Sequence, residues 1–265
     1  MAADIRRDGV RSQGLWDALL GNLTTDVVAS VVSATGRSAL DVVDVGGGTG
    51  GLAVPLATLG HNVTVVDPSP DALAAAQRRA AEVAVSLSVV QGEAASVADM
   101  VGLATVDLVI CHNVLEYVDA PDAALAAVAR VLRPGGTVSV LAANTIAAVL
   151  QRALAGRYAE ALGLLPGPGS SGTAAPGPVP PAVASAGKAP SVTRRFTLPE
   201  LTALLEGAGL RVGDAHGIRV FSGLLPGAGG DPAAAEALRE LEDAAATCPP
   251  LRDIAARLHV LGSRA

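Results

Sequence analysis

Aromatic side chains are almost missing from this 265-residue chain, where two Phe, two Tyr and one Trp make up 2% of the residues. Its core must therefore be built from Ala, Val, Leu and Ile, which suits closely packed helix–sheet layers. Cysteine is equally scarce. Cys111 and Cys248 lie far apart and match no metal-ligand spacing, so they read as reduced thiols and no metal is expected. Positive charge is not in excess. A formal net charge of −6 argues against a broad nucleic-acid-binding surface, though not against a local basic patch. No apolar stretch runs long enough to span a bilayer before Asp, Gly or Pro interrupts it, so no membrane association is expected. Met1–Gln13 is charged and lacks an apolar run, which excludes a secretory leader and makes a cytoplasmic location the expectation. The length allows one large domain with insertions or at most two small ones, and residues 1–265 read as one.

What is present is an alternation of short apolar runs with helical segments from about Ala39 to about Ala142. Strands are predicted at Leu40–Val45, Val63–Val66, Ser86–Val90, Val106–Cys111 and Thr137–Leu141. Helices are predicted at Leu52–Leu59, Asp71–Glu82, Ala94–Val101 and Ala123–Leu132. Continuous apolar strands separated by helices indicate a parallel sheet covered on both faces. The alternation then stops. Thr145–Tyr158 reads as a helix inside a lid-like insertion over 143–196, and residues 166–190 form a Pro/Gly/Ala-rich run that reads as a flexible loop. Thr197 and Glu200 have the spacing of a capping box opening a helix to Gly207. A strand over Leu210–Val220, a helix over Ala233–Ala246 and a last strand over Ile254–Leu261 complete the chain.

Chemistry is concentrated at strand ends. Asp44-Val45-Gly46-Gly47-Gly48-Thr49-Gly50 closes the first strand, where glycines allow positive φ and a close backbone approach to a ligand at the next helix N-terminus. Gly46, Gly48 and Gly51 also satisfy the dinucleotide pattern G-x-G-x-x-G, so the motif alone leaves NAD and S-adenosylmethionine (SAM) both open, with a structural turn as a third reading. Asp67 ends the second strand before Pro68, placed to accept hydrogen bonds from ribose hydroxyls or to cap the following turn. Gly92-Glu93-Ala94 after the third strand and Leu132-Arg133-Pro134-Gly135-Gly136 before the fifth separate the alternatives. Together they resemble the class I SAM-dependent methyltransferases. That likeness implies a Rossmann-like α/β fold with a seven-stranded, mainly parallel sheet, helices on both faces and an antiparallel last strand.

Val106–Val118, Gly217-Ile218-Arg219-Val220-Phe221 and the tail Leu251–Leu261 are similar to the tRNA 5-carboxymethoxyuridine methyltransferase family. That resemblance implies SAM as cofactor and S-adenosylhomocysteine (SAH) as product. It places Gly46, Gly47, Gly48 and Gly50 with Asp44 at the glycine loop, Asp67 and Pro68 at the ribose, and Glu93, Ala94 and Ala95 at the adenine. It also places His112 beside the methionine portion and Arg11 at the SAM carboxylate. The acceptor it implies is a carboxylate on a wobble uridine. A carboxylate is ionised at neutral pH and needs no general base; a hydroxyl or amine acceptor would make His112 the candidate base. His112 with Glu116 is the one evident Asp/Glu–His pairing. For the acceptor clamp the resemblance nominates Arg219 first, with Arg194, Arg195, Asn144 and Tyr158 as further acceptor residues, and a surface salt bridge as the alternative role of Arg219. One departure stands out. The family's lysine-rich loop is replaced by residues 166–190, whose only charge is Lys188, so the acceptor is either tRNA or a small carboxylate or hydroxyl compound. A SAM-binding module without catalysis is the remaining alternative.

Overall fold

The computed structural model describes residues 21, 23–165, 194–224 and 232–265. Before the sheet, residues 23–35 form helix α1. The elements then run β1 (Asp41–Val45), α2 (Ala53–Thr58), β2 (Asn62–Asp67), α3 (Pro70–Glu82), β3 (Ser88–Gln91), α4 (Val97–Val101), β4 (Val106–His112) and α5 (Pro121–Val131). After them come β5 (Leu132–Ala143), α6 (Thr145–Leu154), α7 (Tyr158–Leu162), α8 (Leu198–Gly207), β6 (Leu210–Ile218), α9 (Pro232–Ala246) and β7 (Arg257–Arg264). The expected loop over 166–190 lies outside the described residues.

The strands form one seven-stranded sheet in the order β3-β2-β1-β4-β5-β7-β6. β1 to β5 are mutually parallel, and β7 runs antiparallel to both β5 and β6. Every residue of β4 is buried, as its unbroken apolar run requires of a central strand covered on both faces. Alternate residues feed two cores. Val42, Val63, Val65, Leu108 and Ile110 pack with Val27 and Val31 of α1, Leu56 of α2 and Leu73 of α3. On the opposite face Val43, Val109, Cys111, Val138, Val140 and Val260 meet Val97, Leu125, Val128, Leu201 and Leu205.

Local rules set most boundaries. Ser69 caps α3 by accepting a hydrogen bond from the Ala72 N–H, with Pro70 in the first turn. Thr197 and Glu200 form the reciprocal capping box at α8. Four expectations are corrected. The Pro134-Gly135-Gly136 turn is absorbed into β5, where the register against β4 shifts between Val106 and Leu108 and Gly135 takes φ +79°. The helix expected over Thr145–Tyr158 breaks into α6 and α7 because Gly156 reverses the chain at φ +73°. β6 ends at Ile218, two residues early, because Arg219 adopts φ +61°. Residues Arg252–Ile254 form a 3₁₀ turn, so β7 starts only at Arg257.

The topology places the site. Val45, Asp67, Gln91, His112 and Ala143 end the five parallel strands on one edge of the sheet. Because β7 is antiparallel, its first residue, Arg257, pairs with Ala143 on one side and Ile218 on the other, at that same edge. The strand order reverses between β1 and β4, which is where open α/β sheets bind ligands.

Candidate active site

The glycine turn is shaped by close contacts. Gly46 has φ +68°, and a Cβ there would lie 2.5 Å from a methyl of Val114 in the loop after β4. A Cβ on Gly47 would lie 2.5 Å from the Asp44 carboxylate. The turn is tied to its neighbours through Asp67, whose two oxygens accept from the N–H groups of Gly48 and Ser69, each at 2.9 Å. Asp67 thus takes up the turn-holding role left open by the sequence, and each oxygen keeps a lone pair for a ribose hydroxyl. Gly92 donates its N–H to the Asp67 carbonyl at 3.2 Å, which brings Glu93, Ala94 and Ala95 beside the same strand end. Ala94 is buried, whereas Pro68, Glu93 and Ala95 are exposed. Arg11 lies outside the described residues.

Two groups at this edge have displaced proton affinities. Asp44 is buried, and desolvation, reinforced by the nearby negative charge of Asp67, pushes its carboxyl up to about 7. His112 is buried too, and desolvation pulls its imidazole down to about 3, so the ring is neutral at physiological pH. Its Nε2 is hydrogen-bonded to Ser139 Oγ at 2.8 Å, while its buried Nδ1 meets no partner among the described residues. The expected pairing of His112 with Glu116 is corrected. Glu116 Oε1 instead accepts from the Ala143 N–H at 2.8 Å and from Arg257 Nη1 at 3.2 Å.

At the β5-β7-β6 end the site is cationic. Arg257 reaches both Glu116 and Asn113 Oδ1. Arg195 is half-buried, and its guanidinium is shifted down first by desolvation, then by Arg152, with Arg257 adding and Glu116 opposing. Arg219 is shifted down by desolvation and then by Arg257. Four arginines from separate segments thus share one neighbourhood. Of the two adjacent arginines named from the sequence, Arg194 turns its Nη1 to the Val118 carbonyl at 3.5 Å, whereas Arg195 lies near Arg152 and Arg257. Asn144 is also corrected. Its Nδ2 donates to the carbonyls of Asp253 and Ala255, both at 2.8 Å, and its Oδ1 caps α6 through the Ile146 N–H, so the side chain is committed to joining β5 to the turn before β7. Tyr158 opens α7 and is 72% exposed, too far into solvent to wall a buried pocket.

Sequence reasoning missed Arg257, Ser139 and a site role for His259. The only signal for Arg257 was its place at the start of a strand whose antiparallel register must be known first. Among the described residues no group of His, Cys, Asp and Glu is placed to hold a metal, and no helix is long and apolar enough to cross a membrane.

The donor set fits SAM. A side-chain-free turn, the buried acid Asp44, the acid Asp67 with free lone pairs, a small apolar residue after the third strand (Ala94) and a neutral imidazole (His112) follow one another along the edge and could hold its ammonium, ribose, adenine and methionine portions. An antiparallel strand set between β5 and β6, where an all-parallel dinucleotide fold has none, gives the sheet order expected from the resemblance to class I SAM-dependent methyltransferases. Residues 43–140 match the methyltransferase domain family. The tRNA 5-carboxymethoxyuridine methyltransferase of Escherichia coli (strain K12) is 33% identical over 130 residues, 48% of this chain and 49% of that protein. A ubiquinone biosynthesis O-methyltransferase of Xanthomonas campestris is 33% identical over 150 residues, 53% of this chain and 61% of that protein. The chain thus spans about half the length of the first of these relatives and three-fifths of the second. Magnesium protoporphyrin IX methyltransferase from Synechocystis PCC 6803, crystallised with SAH, shares the fold with a TM-score of 0.55 at 18% identity, over 94% of this chain and 86% of that one.

Proposed function

We propose that this chain methylates a carboxylate oxygen, holding an anionic acceptor against Arg195, Arg219 and Arg257. The observation that carries the reading is the position of three arginines at neighbouring segment ends, Arg195 before α8, Arg219 after β6 and Arg257 at the start of β7 beside Ala143 and Ile218. Burial and then the charge of Arg257 (and of Arg152 for Arg195) lower the proton affinity of Arg195 and Arg219. A bound anion relieves that electrostatic cost, and a planar guanidinium pairs a carboxylate through two parallel bonds.

The state of His112 supports the same reading. An imidazole pulled down to about 3 is a poor base at neutral pH, and a carboxylate with a pKa near ~4 needs none. SAM supplies a methyl carbon on a cationic sulfur: an acceptor oxygen pair forms the C–O bond as the C–S pair returns to sulfur, giving a neutral ester and a thioether with no proton moved. The work left to the chain is alignment. Gly46–Gly50, Asp44 and Asp67 orient the donor, with Arg11, outside the described residues, as the proposed partner of its carboxylate. His112 closes the reacting end.

Two acceptor classes share this chemistry, a carboxymethylated tRNA uridine, as the name of one relative suggests, and a small carboxylate. The small carboxylate is the reading we adopt. Over residues 145–165 the exposed hydrophobic side chains Ile146, Leu154, Tyr158, Leu162 and Leu165 accompany one exposed arginine, Arg157, which is paired with Glu160, whereas a phosphate backbone is held by several cations. The test is transfer of labelled methyl from SAM to small carboxylates and, in parallel, to tRNA from a strain deleted for this gene. Base-labile label in the small-molecule fraction, lost in Arg219→Met and Arg257→Met while SAH still binds, is the expected result. Label confined to tRNA replaces the acceptor class. Label that resists mild base refutes carboxylate methylation, and SAH binding without any turnover leaves a SAM-binding module.

A further inference from the structure

Beyond His112 the structure holds a hydrogen-bonded row that methyl transfer to a carboxylate does not itself require. Ser139 Oγ lies 2.8 Å from His112 Nε2 and 2.8 Å from His259 Nε2, and His259 Nδ1 lies 3.3 Å from His216 Nδ1. The row crosses four strands. His112 pairs with Leu141, Leu141 with His259 and His259 with His216 in the sheet register, so three of the four histidines of the chain stand side by side on one face. Ser139 and His259 are buried, whereas His216 is only half-buried and lines a cavity of about 490 Å³ between α1, β6 and α9.

We propose that Ser139, His259 and His216 are positioning residues, a row that sets whether the hydrogen of the neutral His112 ring lies on Nδ1 or on Nε2. The logic is that of shared protons. A neutral imidazole carries one N–H, and a hydroxyl donates one bond while accepting others. If His216 Nδ1 donates to His259 Nδ1, then His259 Nε2 must donate to Ser139, Ser139 must donate to His112 Nε2, and His112 Nδ1 carries the hydrogen. Reversing the first bond reverses them all and leaves a bare lone pair at His112 Nδ1. Both arrangements satisfy every bond of the row, so the end of the row decides between them.

His216 is that end. It is faced by Asp214 on its own strand, Asp26 on α1, Arg252 in the turn before β7 and His259 on β7, and the cavity it lines also holds Arg219, Glu242 and Asp243. When neutral, it keeps its hydrogen on Nε2 toward these acids and accepts at Nδ1. When protonated, it has a hydrogen on both nitrogens and can only donate. Protonation at the cavity therefore fixes a hydrogen on His112 Nδ1 three strands away.

The inference rests on the methyl-transfer site but not on the carboxylate reading, and its test separates the two. Imidazole ¹⁵N spectra of the whole chain, recorded from about pH 5 to about pH 8 with and without SAH, report which ring nitrogen of each histidine bears hydrogen. Expected is an exchange of the protonated and bare signals of His112 that follows the titration of His216. The exchange is lost in His216→Asn, which cannot titrate, and in Ser139→Ala, and is kept in Ser139→Thr, which retains the hydroxyl. The KM for the acceptor should follow the same titration in the wild type and become flat in Ser139→Ala, which breaks the row while keeping the His216 charge beside Arg219. A His112 tautomer that stays constant in the wild type, or that still exchanges in folded His216→Asn, overturns the proposal. If the tautomers are coupled but the product is not an ester, the row stands and the carboxylate reading falls.

Discussion

Asp44 should make cofactor affinity depend on pH in a way that identifies the residue. Its carboxyl, pushed up to about 7 by burial and then by Asp67, is largely protonated in the ligand-free chain at slightly acidic pH. In the proposed site the α-ammonium of SAM or SAH lies beside Asp44 and favours the ionised form, so binding below the midpoint must first remove a proton. From about pH 8 to about pH 6 the ionised fraction falls about tenfold, equivalent to about 1.4 kcal/mol, and SAH affinity should fall by the same factor. Calorimetric titrations in buffers of different ionisation enthalpy would read both the affinity and the proton released.

Stability moves the other way. A carboxyl whose folded value is raised stabilises the fold fully only below its unfolded value, 3.8, and that contribution is lost as pH rises through about 7. The span corresponds to on the order of 4 kcal/mol. Asp44→Asn, which mimics the protonated acid, should therefore raise Tm at about pH 8 by at least about 5 °C while weakening SAH binding and flattening its pH profile. Asp67→Asn should move the midpoint down by removing the neighbouring charge. SAH affinity that is constant across this range in the wild type, or equally pH-dependent in Asp44→Asn, would refute the assignment.

Three further outcomes are expected. Glu242 is buried and accepts the N–H groups of Val220, Phe221 and Ser222 at 2.6, 3.1 and 2.7 Å, so Glu242→Gln turns an amide donor toward a backbone donor. A loss of about 1–3 kcal/mol in chemical denaturation should follow, with a raised acceptor KM because these residues set the segment after Arg219. Gly46→Ala should reduce SAH affinity at least tenfold through its positive φ and the Val114 contact, and adding Val114→Ala should recover only part, since the second change leaves φ untouched; full recovery would place the whole defect in the clash. Arg133 binds Asp107 at 2.7 Å and Asp41 at 2.9 Å, while Asp107 also keeps Arg37 at 3.3 Å and the Asp41 N–H at 2.8 Å. Arg133→Met should therefore cost less than the about 3–5 kcal/mol of a fully broken buried pair, and it should leave SAH binding unchanged.

The parallel half of the fold was legible because each strand is an apolar run ended by a residue that cannot continue it, Gly46 after β1 or Pro68 after β2. Boundaries failed where the backbone does something that residue type alone does not announce. Pro134 and the two glycines after it look like a turn, yet they sit inside β5 as a bulge because the β4 edge continues past them. Arg219 reads as strand until its positive φ ends β6. The candidate cofactor residues could be nominated for the same reason as the strands. Asp44 and Asp67 are among the last residues of β1 and β2, and the glycines and Ala94 come within a few residues of a strand end, so sequence position and spatial position coincide.

The acceptor side has no such coincidence. Glu116 meets Arg257 only because β7 inserts antiparallel between β5 and β6, and Ser139 meets His259 across 120 positions of chain for the same reason. One topological event therefore supplies an arginine of the proposed clamp and the middle of the histidine row. The two halves also differ in what they tolerate. Asp44 and the glycine turn answer to a constant ligand and are crowded against backbone and buried groups, so almost any substitution there is felt. The arginines sit on segment ends, Arg195 before α8, Arg219 after β6 and Arg257 at the start of β7, where side chains can change without rebuilding the sheet. A fold arranged in this way keeps its methyl donor while its acceptor changes. That is a physical reason a chain can match a tRNA enzyme and a ubiquinone-biosynthesis enzyme at the same 33% identity, and it is why the proposed acceptor of this one is argued from Arg195, Arg219 and Arg257 rather than from the glycine motif.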